Sequence, residues 1–307
     1  MKRILLPGIA FLFAADSAFA HGAGSHGTGP WWTLWTWDPL ILSSLFFVSA
    51  IYALGISRLW RKAGAGSGVG RRHALAYAAG VLTLFIALLS PVDVLSDELG
   101  WMHMIQHMTL MNVAAPLMVL GAPGLVALYA LPLAWRQRFG RVKREVHTRG
   151  PRWYLLWQPL LMWSAFAGAM WIWHLPKLYT AALHNDALHD FQHLTFFLTA
   201  CLFWRVLLDP ISRLRLSRGV GVIYLFTTSL HATLLGVFMA LAPSVWYPFY
   251  EGKTLSWGVT ALQDQQLAGL IMWMPACMVY AAAAAVVFGL WLAERPPAAI
   301  PVHTSTP

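Results

Sequence analysis

The chain has 307 residues, of which 58% are hydrophobic and only 11% are charged, and its mean hydropathy is +0.59. Soluble domains carry about 25% charged residues, so the composition excludes a soluble globular protein and predicts an all-α, polytopic membrane protein. The formal net charge is +9, but most Lys and Arg residues lie in short segments between apolar stretches. This distribution follows the positive-inside rule and argues against a nucleic-acid partner.

The first 20 residues have the layout of a secretory signal peptide. Lys2 and Arg3 precede an apolar stretch that reaches Phe13, and residues 18–20 read Ala-Phe-Ala, a small-residue cleavage site. We expect cleavage to leave a Gly- and His-rich periplasmic leader over residues 21–37. An uncleaved membrane anchor is the alternative, and the shortness of the apolar stretch disfavours it.

Seven apolar stretches follow, each close to the length of about 20 residues that a helix needs to cross the hydrocarbon core. They lie at residues 39–57, 74–90, 101–120, 155–175, 187–208, 220–241 and 267–292. Because lipid offers no hydrogen-bond partners, a spanning segment must satisfy its backbone groups internally as a helix. We therefore predict a seven-helix transmembrane bundle over residues 38–293.

A further apolar piece over residues 125–133 is too short to cross a bilayer. A Gly-Ala-Pro-Gly break at residues 121–124 separates it from the third span. We expect this piece to lie at the membrane interface or to extend a bent third helix.

The basic residues predict the orientation of the bundle. They follow the first span, the short apolar piece and the fifth span, and the main ones are Arg58, Arg61, Lys62, Arg71, Arg72, Arg136, Arg138, Arg141, Lys143, Arg144, Arg213, Arg215 and Arg218. This bias places the amino terminus outside and the carboxyl terminus inside, with residues 294–307 as a cytoplasmic tail. Only Lys177 and Lys253 lie on the other side. The pattern is that of a multi-pass protein of a bacterial inner membrane.

Histidines recur near the outer ends of these predicted spans. Residues 103–109 read HMIQHMT and residues 189–195 read HDFQHLT, so His103 and His107 form one pair and His189 and His193 another. Residues four apart share a helix face, and two imidazoles at that spacing can bind one metal ion. Polar side chains within hydrocarbon are costly and are often functional, although some serve only to bond helices together.

Other side chains are expected near the same site. His174 ends the fourth span and His231 lies within the sixth, and both are auxiliary candidates for metal binding. Hydrogen bonds from neighbouring polar groups can fix the tautomer of a ligating imidazole. The candidates for such support, or for lining the cavity, are Gln106, Gln192, Asp190, Asp264, Gln265 and Met272. Asp264 has the alternative role of a helix cap, and a methionine thioether near imidazoles suits Cu(I).

With these residues the chain resembles the CtaG family of membrane-embedded cytochrome c oxidase assembly factors. The resemblance extends from about residue 35 to 292 and rests on Ser90-Pro91, the two histidine motifs, Ala115-Pro116, Gly121 to Pro123, Trp173-His174, Asp264-Gln265 and Met272-Trp273. It implies a role in maturing the oxidase by helping copper reach it. The name is also used for an unrelated single-span copper chaperone with thiolate ligands, but Cys201 and Cys277 form no such motif here.

We therefore predict an oxidase assembly factor that binds copper at the periplasmic side and is not an enzyme. Its expected partners are cytochrome c oxidase subunits, the lipid bilayer and periplasmic copper chaperones. A haem-binding membrane protein is one alternative, with histidines as axial ligands. A copper transporter is another, and it requires a polar path below His231, where the sequence offers Thr227, Thr228, Ser229 and Arg205.

Overall fold

The computed structural model describes residues 30–149, 152–211 and 215–293. The predicted signal peptide, most of the leader and the predicted tail over residues 294–307 lie outside these ranges. Within them every regular element is a helix and no strand occurs. The prediction of an all-α protein is therefore confirmed for the described part of the chain.

Twelve α-helices and one π-helical segment account for most of the described residues. They are α1 (Pro39–Ala63), α2 (Arg71–Leu89), α3 (Pro91–Ser96), α4 (Gly100–Thr109), the π segment (Leu110–Ala114), α5 (Ala115–Leu120), α6 (Pro123–Ala130), α7 (Leu133–Arg149), α8 (Arg152–Trp173), α9 (Pro176–Leu183), α10 (Asp186–Leu208), α11 (Arg218–Ala240) and α12 (Ala261–Leu292). Three short 3₁₀ turns complete the set, at Trp31–Thr33, Pro248–Tyr250 and Thr254–Trp257.

Five of these helices are long and apolar enough to cross a membrane, namely α1, α2, α10, α11 and α12. A sixth span results if the continuous rod from Gly100 to Leu120 is taken together with α6, which is bent from it by 55°. These helices make the chain a multi-pass membrane protein. The fourth predicted span coincides with α8, but the count of seven and the orientation of the termini remain predictions.

Capping side chains mark the starts of α1 and α12. Asp38 accepts hydrogen bonds from the backbone N–H groups of Leu40 and Ile41, at 2.7 and 2.9 Å, at the start of α1. Thr260 and Gln263 form a reciprocal capping box at the start of α12. Such caps satisfy backbone donors that have no partner inside the helix.

The π segment between α4 and α5 has a local cause in Pro116. A proline in a regular helix loses one hydrogen bond and clashes with the carbonyl group four residues earlier. Here the bonding shifts by one residue, so that the Ala115 N–H bonds to the Leu110 carbonyl oxygen. The next carbonyl, that of Met111, would pair with the missing N–H of Pro116. Instead it accepts a hydrogen bond of 2.9 Å from the Trp204 indole of α10, which ties the two helices together.

The last two helices, α11 and α12, pack closely because glycines line their contact. A Cβ added at Gly236 would lie 2.9 Å from the Gly269 carbonyl oxygen, and one added at Gly269 would lie 2.5 Å from the Ala240 backbone nitrogen. Small residues allow such an approach, which is how helices in lipid gain van der Waals contact. The connection between these two helices lies at the end of the bundle at which α4 and α10 begin.

Candidate metal centre

The first turns of α4 and α10 bring four imidazoles into one cluster. The two rings on α4, His103 and His107, have centroids 4.1 Å apart, and the two on α10, His189 and His193, are 4.2 Å apart. Between the helices, the centroid distances are 5.1 Å for His103–His189, 5.1 Å for His107–His193 and 6.0 Å for His103–His193. One ring nitrogen from each side chain lies within 4.8 Å of the other three.

The nitrogens of this cluster are largely unsatisfied. His103 and His107 are fully buried, and neither ring nitrogen of either side chain has a hydrogen-bond partner. The Nε2 atom of His193 is also buried without a partner. Buried polar groups are usually hydrogen-bonded, because leaving one unpaired costs about 1–3 kcal/mol. A metal ion requires unpaired lone pairs that face one shared space.

The donor set is chemically uniform. Among the described residues, the only group of three or more His, Cys, Asp or Glu side chains with metal-binding spacing is this one, and it contains histidines alone. With a metal–nitrogen distance of about 2.0 Å, the nitrogens of a tetrahedral site are about 3.3 Å apart. The widest nitrogen–nitrogen separation, 4.8 Å, must therefore shrink by roughly 1.5 Å, which rotation of imidazole side chains can supply.

Aromatic side chains enclose the cluster. The His103 ring lies 5.3 Å from the Tyr179 ring of α9, and the His107 ring lies 4.8 Å from the Phe196 ring of α10. Tyr179 in turn packs against Tyr247 at 4.0 Å, and both tyrosines are buried. Burial raises the pKa of the Tyr179 phenol above its usual range.

His174 lies beside the cluster without belonging to the group of four. Its ring is 6.1 Å from Tyr179 and 6.0 Å from Phe196, the same two side chains that contact the cluster. Its Nδ1 lies 2.6 Å from the Met170 carbonyl oxygen and therefore donates to it. The Nε2 atom is then a lone-pair donor, and it is buried without a partner.

The remaining predicted metal ligand, His231, lies apart from the four histidines. His231 packs on α8, where its ring is 5.3 Å from that of Trp163, and the structure does not place it with the four histidines. Met272 is fully buried in the apolar core of the bundle, in the same set of packed side chains as Met104 and Met108. The sequence alone could not separate His231 from the cluster because depth in the membrane does not specify which helix face meets which neighbour.

The three predicted supporting residues next to the histidines have different surroundings. The Gln106 amide nitrogen donates to the Ala87 carbonyl oxygen and to Asp93 Oδ1, at 2.9 and 2.8 Å, so it binds α2 and α3 rather than an imidazole. Gln192 is fully buried, and neither of its amide atoms has a partner. Asp190 is exposed. Sequence reasoning missed Asp93, although it stands directly after the second apolar stretch.

Asp264 and Gln265 hold the elements around the cluster in place. Asp264 accepts hydrogen bonds from the backbone N–H groups of Gly100 and Trp101, at 2.9 and 3.4 Å. It is therefore a cap, but of α4 rather than of its own helix, and it fixes the turn that carries His103. Gln265 accepts from the Trp246 N–H at 2.6 Å and donates to the Ser244 carbonyl oxygen at 3.2 Å, which anchors the α11–α12 connection.

Comparison with known proteins adds a family to this geometry. A family model described as cytochrome c oxidase caa3 assembly factor matches residues 50–294. The chain is 27% identical over 255 residues to uncharacterized protein ML1998 of Mycobacterium leprae, covering 78% of this chain and 37% of the relative. It is also 27% identical over 268 residues to uncharacterized protein Mb0105 of Mycobacterium bovis, covering 81% and 39%. The chain thus spans less than two fifths of the length of these relatives. No solved structure matches it.

Proposed function

The chain belongs to the family of cytochrome c oxidase caa3 assembly factors, and on that premise we propose that it binds copper at the four-histidine cluster and assists delivery of the ion to the oxidase. The observation that carries this proposal is the convergence of His103, His107, His189 and His193 on a space in which their nitrogens lie within 4.8 Å of one another. The cluster is on the periplasmic side in the orientation that the basic residues predict.

Copper suits this donor set better than the other common metal ions. Imidazole nitrogen binds divalent copper more tightly than the other first-row ions, and calcium and magnesium require oxygen ligands. The neutral ligands also leave the charge of the ion uncompensated, which favours a singly charged ion in a buried site. Met104 and Met108 lie in the surrounding core, and their thioether sulfur atoms are polarisable.

Delivery requires that the ion can leave, and one of the four histidines is less buried than the others. His103, His107 and His193 are buried, whereas His189 is half-buried and is followed by the exposed Asp190. We propose that copper enters and leaves past His189. In this role copper is the cargo, and no bond of a substrate is made or broken. We therefore propose that the protein is not an enzyme. Its proposed partners are oxidase subunits as recipients and periplasmic copper chaperones as donors.

The two alternative functions fit less well. A haem would need a slot between facing histidines, but the space beside His103 and His107 is filled by Tyr179 and Phe196. A transporter would need free polar groups below His231. There Thr227 and Thr228 bond to carbonyl oxygens of their own helix, at 2.9 and 2.8 Å.

The test is the copper content of the purified full-length chain in detergent. We expect the unmodified chain to retain copper, a His103→Ala/His107→Ala variant to lose it, and a His231→Ala variant to retain it. His231→Ala is the matched control, because it removes an intramembrane imidazole that lies apart from the cluster. Equal copper in the double variant and in the unmodified chain, with both folded by circular dichroism, would refute the proposal. A Soret absorption band would favour haem instead.

A further inference from the structure

An apolar groove lies in the half of the bundle opposite the histidine cluster. The start of α1 lies beside the end of α2, since the Thr36 N–H bonds to the Leu89 carbonyl oxygen at 3.0 Å. The α4 helix lies at this same end, since Gln106 donates to the Ala87 carbonyl oxygen at 2.9 Å. The groove lies toward the other end of α1, between α1, α6 and α7, and has a volume of about 340 Å³. Its walls include Ile51, Leu54, Gly124, Ala127, Leu131 and Phe139. All of these side chains are apolar.

The groove exists because α6 leaves the line of α5 and lies against α1. The bend between them is 55°, and Val126 of α6 is fully buried at the contact. Gly55 permits this approach, since an added Cβ there would lie 2.1 Å from the Val126 carbonyl oxygen. Beside this contact, Gly124 has no atom within 4 Å of the position that a Cβ would take. The small side chains on this side of α6 therefore leave an open apolar trough beside α1.

Arginine side chains border the trough. Arg58, one turn after Leu54 on α1, donates to the Ala130 carbonyl oxygen. Arg136 lies over the Tyr129 ring at 4.7 Å from its centroid, three residues before Phe139. The sequence contains no Asp or Glu at residues 39–92 or 99–144. Ten Lys and Arg residues fall within the same two ranges, so the end of the bundle that carries the groove is strongly cationic.

We propose that this groove binds an anionic phospholipid, with an acyl chain along the trough and the phosphodiester headgroup held by Arg58 and Arg136. Guanidinium groups bind phosphate oxygens through paired, charge-assisted hydrogen bonds. Basic pockets beside transmembrane helices are typical sites for anionic headgroups. An apolar wall continuous with a cationic rim matches an amphiphile of this charge, whereas a soluble anion would leave the trough unfilled. The lipid site is separate from the histidine cluster and does not depend on copper binding.

The test uses native mass spectrometry of the full-length chain titrated with phosphatidylglycerol or with phosphatidylcholine of the same acyl chains. We expect phosphatidylglycerol to be retained preferentially. Each basic side chain near a headgroup contributes about fivefold in affinity, so Arg58→Gln/Arg136→Gln should lose roughly 25-fold. The matched control is Arg72→Gln/Arg215→Gln, which removes the same charge from the same end of the bundle and should change retention little. An equal loss in both double variants, or no preference in the unmodified chain, would overturn the proposal.

A second pair of variants tests the trough itself. Gly124→Leu places a side chain into open space on the groove wall, and Gly289→Leu does the same on α12, where an added Cβ also meets nothing within 4 Å. We expect Gly124→Leu to lower retention of phosphatidylglycerol by at least several-fold and Gly289→Leu to leave it unchanged. Unchanged retention in Gly124→Leu would contradict the seating of an acyl chain in the groove, even if the arginine variants behave as expected.

Discussion

The N-terminus of α4 offers a sharp test of how the histidine cluster is held. Gly100 donates its backbone N–H to Asp264 Oδ2 at 2.9 Å. A Cβ added at Gly100 would lie 2.7 Å from that oxygen and 3.2 Å from Tyr250 Cε2. Asp264 and Tyr250 are 1% and 2% exposed, so neither side chain can move aside freely. Gly100→Ala should therefore displace the carboxylate and break the cap.

The size of the effect follows from these contacts. Loss of a helix cap costs up to about 2 kcal/mol, and a hydrogen bond to a buried charged group is worth about 1.5–3 kcal/mol. Replacing glycine by alanine in a helix raises the free energy of unfolding by up to about 1 kcal/mol, which offsets part of this loss. The net loss is then about 2 kcal/mol. At 2–4 °C per kcal/mol for a chain of this size, the midpoint of thermal unfolding should fall by roughly 4–8 °C.

The assay is thermal unfolding of detergent-purified protein, followed by size-exclusion chromatography after heating. Gly289→Ala is the control, because it makes the same chemical change on α12 where nothing would contact the new methyl group. We also expect Gly100→Ala to retain less copper, since His103 lies one turn beyond the cap. If Gly100→Ala and Gly289→Ala unfold at the same temperature, the reasoning about the cap is wrong.

Three further variants test individual contacts by the same thermal assay. Trp204→Phe removes the donor to the Met111 carbonyl oxygen, and should cost about 1–3 kcal/mol because no other donor replaces the missing proline N–H; an unchanged midpoint would contradict this account of the π segment. Gln265→Leu removes the acceptor of the Trp246 N–H and should cost about 1–2 kcal/mol, visible as a lower midpoint. Gln192→Leu should leave the midpoint unchanged or raise it, because both amide atoms are buried without partners; a clear fall would mean that the amide is bonded after all.

Much of the secondary structure was predictable because membrane helices are strongly marked in sequence. Long apolar stretches predicted α1, α2, α10, α11 and α12 to within a few residues at most ends, and the Gly-Pro break predicted the short, bent α6. The largest differences are the nearly two added turns at the end of α1 and the earlier start of α12, where polar residues continue a helix beyond the hydrocarbon. Hydropathy marks the membrane-embedded part and not the end of the helix.

The pairing of histidines within each helix was also a property of the sequence, since residues four apart always share a face. The convergence of α4 with α10 was not, because it depends on how two helices far apart in the chain are rotated and positioned. The same reason explains why His231 lies against Trp163 and why Asp264 caps α4 rather than its own helix.

The sequence by itself determined that this is a helical membrane protein with two i,i+4 histidine pairs, because transfer into lipid and helical periodicity are local properties. Only the tertiary structure decided which side chains share the cluster. Helix packing in lipid depends on small residues, bends and interhelical hydrogen bonds, such as the Gly236–Gly269 contact and the Trp204 bond to the π segment. These contacts join residues far apart in the chain, and no local pattern specifies them.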